Sequence, residues 1–129
     1  MSKKKRETPS NGRYAYEGLE RVIHEKARLG IVTSLAAHPD GLLFSQLKEM
    51  CSLTDGNLNR HLQVLTEAEF IEIWKHQGEG RPQTLCRLTT LGRKKLTEYV
   101  AELEKVVRDA LSASEPLPKR KPGDEWSLA

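Results

Sequence analysis

Apolar and small side chains recur at three- and four-residue steps through Val22, Ile23, Ala27, Gly30, Ile31, Ser34 and Leu35. This spacing predicts a first helix that begins near Tyr16 and buries one stripe. His38-Pro39-Asp40-Gly41 ends it, because proline cannot continue a helix and Asp-Gly favours a turn. Leu42, Leu43 and Phe44 are too few for a helix and predict a brief strand. Ser45 is then the expected cap of a short helix over residues 45–51, with Leu47 and Met50 as its buried side. Thr54 is the expected cap of the next helix, and Asn57, three residues on, can answer it as a weak capping box.

Within that next helix Leu58, Leu62 and Leu65 fall at i, i+4 and i+7 and must face the core. A turn of about 100° per residue then sends Asn59, Arg60 and Gln63 outward, a face of amide and guanidinium groups. His61 falls about 60° from the centre of the stripe, which predicts a boundary or phosphate-contacting histidine. After Ala68 the period changes to strict alternation in FIEIWK, with Ile71 and Ile73 on one side and Glu72 and Trp74 on the other. Gly78, Gly80 and Pro82 interrupt the alternation and QTLCRL resumes it, so residues 70–88 predict an antiparallel hairpin with a long tip. Trp74 is expected to meet Leu85 across it. Thr89 caps a last helix, over about residues 90–111. Its stripe of Leu96, Tyr99, Val100, Leu103, Val106, Val107 and Leu111 is broader than one small domain needs.

The fold class is thus mainly α with a β-hairpin, on one domain at residues 16–111. A polar, basic arm at residues 1–15 and a Pro- and charge-rich tail at residues 112–129 lack periodicity and are expected to be disordered. The 129 residues suffice for one core without disulfides, so Cys51 and Cys86 are read as reduced and the chain as cytoplasmic. With 37% hydrophobic residues and no apolar run near the roughly 18 a spanning helix needs, no membrane partner is expected. The formal charge of +3 says little by itself. Its distribution says more: residues 1–16 hold Lys3, Lys4, Lys5, Arg6 and Arg13 against Glu7 alone, a net +4 on a near-neutral body. Such an arm suits phosphate attraction, although many are merely solvated tails.

The order of three helices, hairpin and helix, with LTDGNLNRHLQVLTEAEFIEI and GRPQTLCRLTTLGRKKL in the matching places, resembles winged helix-turn-helix transcriptional regulators. The likeness is to the MarR and ArsR-like branch and its short single-domain members, and covers roughly residues 17–110. It implies a two-stranded wing, a C-terminal dimerisation helix, and a homodimer that binds a palindromic operator in double-stranded DNA and usually represses. Carried onto this chain, Asn59, Arg60 and Gln63 would read bases, since Arg suits guanine and Asn or Gln suit adenine. Thr54 and Asn57 would fix register on phosphates at the helix N-terminus, Lys75 and Arg81 would act from the wing, and Lys3, Lys4, Lys5 and Arg6 from the arm. Leu96, Tyr99, Val100, Leu103, Val106 and Val107 would form the dimer interface.

Asp55, Glu67 and Glu79 lie near the same surface and fit a DNA contact least well. They keep open a winged-helix module that docks a protein instead. No nucleophile with a base, no paired carboxylates and no phosphate loop are recognisable, so neither catalysis nor a cofactor is expected. The scattered cysteines and histidines lack metal-site spacing. A small-molecule effector would have only the crevice between two protomers to occupy.

Overall fold

A computed structural model describes residues 12–112, 116, 117 and 119–129. Its elements are α1 (Lys26–Ala37), β1 (Leu42–Leu43), α2 (Phe44–Met50), α3 (Asp55–Glu67), β2 (Ile71–His76), β3 (Gln83–Leu88) and α4 (Thr90–Leu111). Ile23 with Ile31, Val32 and Leu35 of α1, Leu47 of α2, and Leu58, Leu62 and Leu65 of α3 close on Phe70, Ile71, Cys86 and Tyr99 to form one core.

The first helix starts ten residues later than its apolar spacing suggests. Residues 17–25 run in turns, and Ile23 enters the core from there. Glu25 is the cap, its Oε1 accepting from the Arg28 N–H at 2.8 Å. The helix ends where expected, at His38, whose N–H bonds Leu35 O. In the turn that follows, Gly41 has φ +98, and a Cβ there would lie 2.6 Å from Arg87 Cγ and 2.8 Å from Cys86 O. Only glycine fits.

Ser45 is not the cap of α2. The helix begins one residue earlier, with Leu43 at the cap position, and Gln46 Oε1 accepts from the Leu43 N–H at 2.8 Å. The hairpin has the expected extent, Ile71 opposite Leu88 and His76 opposite Gln83. The brief strand β1 adds to it through Leu42–Cys86 and Leu43–Leu85, so the sheet has three antiparallel strands in the order β1-β3-β2. Ile71 is buried but Ile73 is exposed, because β2 leaves the core as it runs toward the wing tip.

The root of the hairpin is fixed to α4. Thr89 Oγ1 accepts from the Gly92 N–H at 2.8 Å and donates to Glu69 O at 2.7 Å, while the Thr89 N–H bonds Phe70 O at 2.9 Å. Gly92 lies so close to the Phe70 carbonyl that any side chain would overlap it. At the other end of α4, Arg13 reaches both oxygens of Asp109 at 3.0 and 2.9 Å, and Tyr16 Oη donates to Asp109 Oδ2 at 2.6 Å. Arg13, placed in the arm by composition, is therefore held against the domain. Among the described residues no helix is long and apolar enough to cross a membrane.

Candidate nucleic-acid interface

Burial of Leu58, Leu62 and Leu65 fixes which way α3 faces. Asn57, Asn59, Arg60 and Gln63 are consequently exposed together on its outer side, with Thr54 at its start. Thr54 Oγ1 accepts from the Asn57 N–H at 3.2 Å, so the threonine caps the helix. Gln63 Nε2 donates to Glu67 Oε2 at 3.3 Å, which lays its amide along the helix toward its C-terminal end. Asp55, the least favourable residue for an anionic partner, pairs with Lys48 of α2, Nζ to Oδ1 at 2.9 Å. An exposed pair of this kind adds little stability, about 1 kcal/mol at most, yet it cancels the charge at the front of α3.

The wing carries Lys75 on β2, opposite Thr84, and Arg81 at the tip, both exposed. Arg81, Pro82, Gln83 and Thr84 form one wall of a groove of about 420 Å³, and Leu43, Phe44 and Ser45 form the other. Trp74 pairs with Leu85 across the hairpin, is 52% exposed, and donates from Nε1 to Glu72 Oε1 at 3.2 Å. Lys3, Lys4, Lys5 and Arg6 lie outside the described residues.

The residues assigned to a dimer seam divide between two environments. Tyr99 is only 2% exposed and belongs to the protomer core, its hydroxyl sharing a 2.7 Å hydrogen bond with His24 Nδ1. Leu96 and Leu103 pack partly against the same core, and Val106 is half-buried. Val100 at 43%, Val107 at 50%, and Leu111 remain on the outside.

His61 is neither a boundary nor a surface residue. It is 8% exposed and faces α1, where Arg28 Nη1 lies 3.1 Å from its Nδ1. A helical wheel cannot show this, because the burial comes from a helix thirty-three positions earlier in the chain. Lys48 and Glu25 were missed for related reasons: the first acts across two helices, and the second caps with a residue outside the usual Ser, Thr, Asp and Asn set.

Burial pushes the Cys86 thiol up to about 11 and raises that of Cys51 as well. Both are thereby less reactive as nucleophiles at neutral pH than a free cysteine. Among the described residues no three His, Cys, Asp or Glu side chains converge to hold a metal ion.

A short helix, a second helix four residues on whose polar side faces outward, and a hairpin directly after it define the winged helix-turn-helix class. The family model of the winged helix DNA-binding domain matches residues 27–107, and the chain belongs to that family. An uncharacterized protein of Methanocaldococcus jannaschii is 42% identical over 60 residues, 46% of this chain. The match spans 65% of that relative's length. Among solved structures, a transcriptional regulator homologue of Pyrococcus horikoshii superposes with a TM-score of 0.67 at 26% identity, over 71% of this chain and 90% of that one. MepR of S. aureus, solved with DNA, gives 0.61 at 19% identity, over 73% and 76%. A MarR family transcriptional regulator from Silicibacter pomeroyi gives 0.53 at 21%, over 70% and 59%. The fold is that of the MarR-type regulators.

Proposed function

We propose that this chain is a sequence-specific transcriptional regulator that binds double-stranded DNA as a homodimer on a palindromic operator and represses by covering a promoter. The observation that carries the reading is the outer face of α3, where Asn59, Arg60 and Gln63 stand exposed while Lys48 neutralises Asp55. A helix of this width enters the major groove, and those side chains offer the paired donors and acceptors that distinguish base pairs. Lys75 and Arg81 add charge from the wing, and Thr54 and Asn57 meet phosphate at the helix start. That MepR is seen with DNA supports the same use of the fold here.

Dimerisation draws support from Val100, Val107 and Leu111, an apolar row left uncovered along α4. Two copies joined there would offer recognition helices to successive major grooves, about 34 Å apart. The regulator works by occupancy, without chemistry of its own, and in the cytoplasm. Any small-molecule effector would sit in the crevice between protomers.

The test is selection of duplexes from a random pool, followed by titration in rising salt. A selected motif, with affinity falling steeply as salt rises, is the expected outcome. Absence of sequence preference at every salt concentration sinks the proposal. It would favour instead a winged-helix module that docks a protein through the same helix and wing, where Glu67 and Glu79 stand exposed.

A further inference from the structure

Behind the base-reading side of α3, His61 is the one polar or charged residue in the buried set of the described residues. Its Nδ1 lies 3.1 Å from Arg28 Nη1. A guanidinium has donors and no acceptor, so this Nδ1 must offer its lone pair, and the ring is neutral with its proton on Nε2. Arg28 is itself fixed, because its Nε donates to Val22 O at 2.6 Å and its backbone N–H to Glu25 Oε1 at 2.8 Å. Glu25 Oε1 stands 4.0 Å from Arg28 Nη1 and 4.0 Å from His61 Nδ1. Beside the buried Leu58, Leu62 and Leu65, one imidazole thus ties the recognition helix to a guanidinium that the Val22 carbonyl, in the turn before α1, holds in place.

From this geometry we infer that Glu25, Arg28 and His61 position the base-reading face of α3, and that protonation of His61 unseats it and lowers affinity for DNA. The inference rests on the DNA-binding reading above. A proton taken from solvent onto Nδ1 removes the acceptor, breaks the bond to Arg28, and leaves two cations about 3 Å apart in a poorly hydrated seam. Glu25 offsets them only in part. Its carboxyl is held below the ordinary carboxylate range, first by the Arg28 N–H, so it is already an anion engaged with the backbone. Arg28 and Glu25 are the charged groups that meet the ring from α1 among the described residues. On α3 itself the neighbours one turn away, Asn57, Leu58, Val64 and Leu65, carry no charge. Displacement at His61 acts one residue from Arg60 and two from Asn59 and Gln63. Those are the side chains that must register on the bases.

His24 bonds Tyr99, His38 bonds Ser34 O, and His76 lies exposed on the wing. Protonation of these three adds positive charge and would strengthen binding to DNA, so the sign of the pH response separates the latch from general electrostatics. The experiment uses the full chain and a duplex selected as above, at constant ionic strength, from roughly pH 8 to roughly pH 5.5, where imidazoles titrate. Wild-type affinity falls about tenfold on acidification, as loss of one charge-assisted hydrogen bond predicts. His61→Asn, whose amide oxygen takes the place of Nδ1 and still accepts from Arg28, binds as wild type does at the upper pH and does not weaken in acid. In Arg28→Met the protonated ring faces Glu25 alone, and the acid loss disappears or reverses. Wild-type binding that is flat or stronger in acid overturns the inference, as does a His61→Asn profile that still falls. If no duplex is selected, it is the DNA-binding reading that has failed. The latch is then judged in the free protein by nitrogen NMR of the His61 ring: an unprotonated Nδ1 at roughly pH 8 supports it, and a protonated one overturns it.

Discussion

Replacing Gly92 with alanine should destabilise the protein, against the ordinary rule for glycine in a helix. In an open helical position, Gly→Ala gains about 1 kcal/mol through reduced backbone freedom. At Gly92 the added Cβ would overlap the Phe70 carbonyl oxygen and lie 2.9 Å from its carbon and 3.0 Å from its Cα, all backbone. Neither side can move cheaply, since the Thr89 N–H bonds Phe70 O and Thr89 Oγ1 caps α4. Overpacking of this kind costs about 1 to 3 kcal/mol, and the propensity gain offsets less than half of the upper figure. With backbone on both sides of the clash the cost falls in the upper part of that range, about 2 to 3 kcal/mol, so the expected net loss is about 1 to 2 kcal/mol, or roughly 4 to 16 °C in Tm for a domain of this size. Gly30→Ala is the control, because a Cβ there meets nothing within 4 Å. Thermal unfolding followed by far-ultraviolet circular dichroism compares the three proteins. A Gly92→Ala variant that melts with or above wild type, while Gly30→Ala behaves as expected, refutes the claim that this contact fixes the wing root.

Arg60→Ala and Gln63→Ala should each relax selection at particular base pairs by about 1 to 3 kcal/mol, whereas Lys75→Ala and Arg81→Ala should weaken all sequences alike and reduce the salt slope by about 1. Binding-site selection repeated on each variant distinguishes the two patterns. Val107→Glu, at a position already half exposed, should leave the protomer folded and shift sedimentation from dimer to monomer; a wild type that already sediments as a monomer removes the α4 seam. Donation to Asp109 pushes the Tyr16 phenol up to about 12, and Arg13 and then Tyr16 hold the Asp109 carboxyl below the ordinary carboxylate range. The stabilisation from Asp109 is therefore present above that range and lost as pH falls through the lowered value, and that from Tyr16 is lost as pH rises through about 12. In Asp109→Ala, tyrosinate absorbance should show one phenol ionising earlier than in wild type.

Where the chain's own periodicity decides burial, the sequence was legible. The extent of α3, the Thr54 and Thr89 caps, the register of β2 on β3 and the exposure of Asn59, Arg60 and Gln63 all follow from spacing over a dozen residues. Local spacing is silent where a distant segment decides. Apolar spacing continued upstream of Glu25 because Leu19, Val22 and Ile23 pack on the core without being helical, and spacing alone cannot tell a helix from turns that bury the same side. Ile73 alternates correctly yet has no core beneath it. Asp55 looked like an obstacle until α2 brought Lys48 to it.

The joint at Thr89 and Gly92 ties the start of α4 to the root of the wing. A helix of 22 residues is about 33 Å long, so a tilt of about 6° where two such helices meet would carry the far end through about 3.5 Å, one base-pair step. In the proposed dimer, the spacing between half-sites that the protein tolerates would thus be set by the stiffness of the α4 seam. Operators lengthened or shortened by a single base pair would measure that stiffness directly.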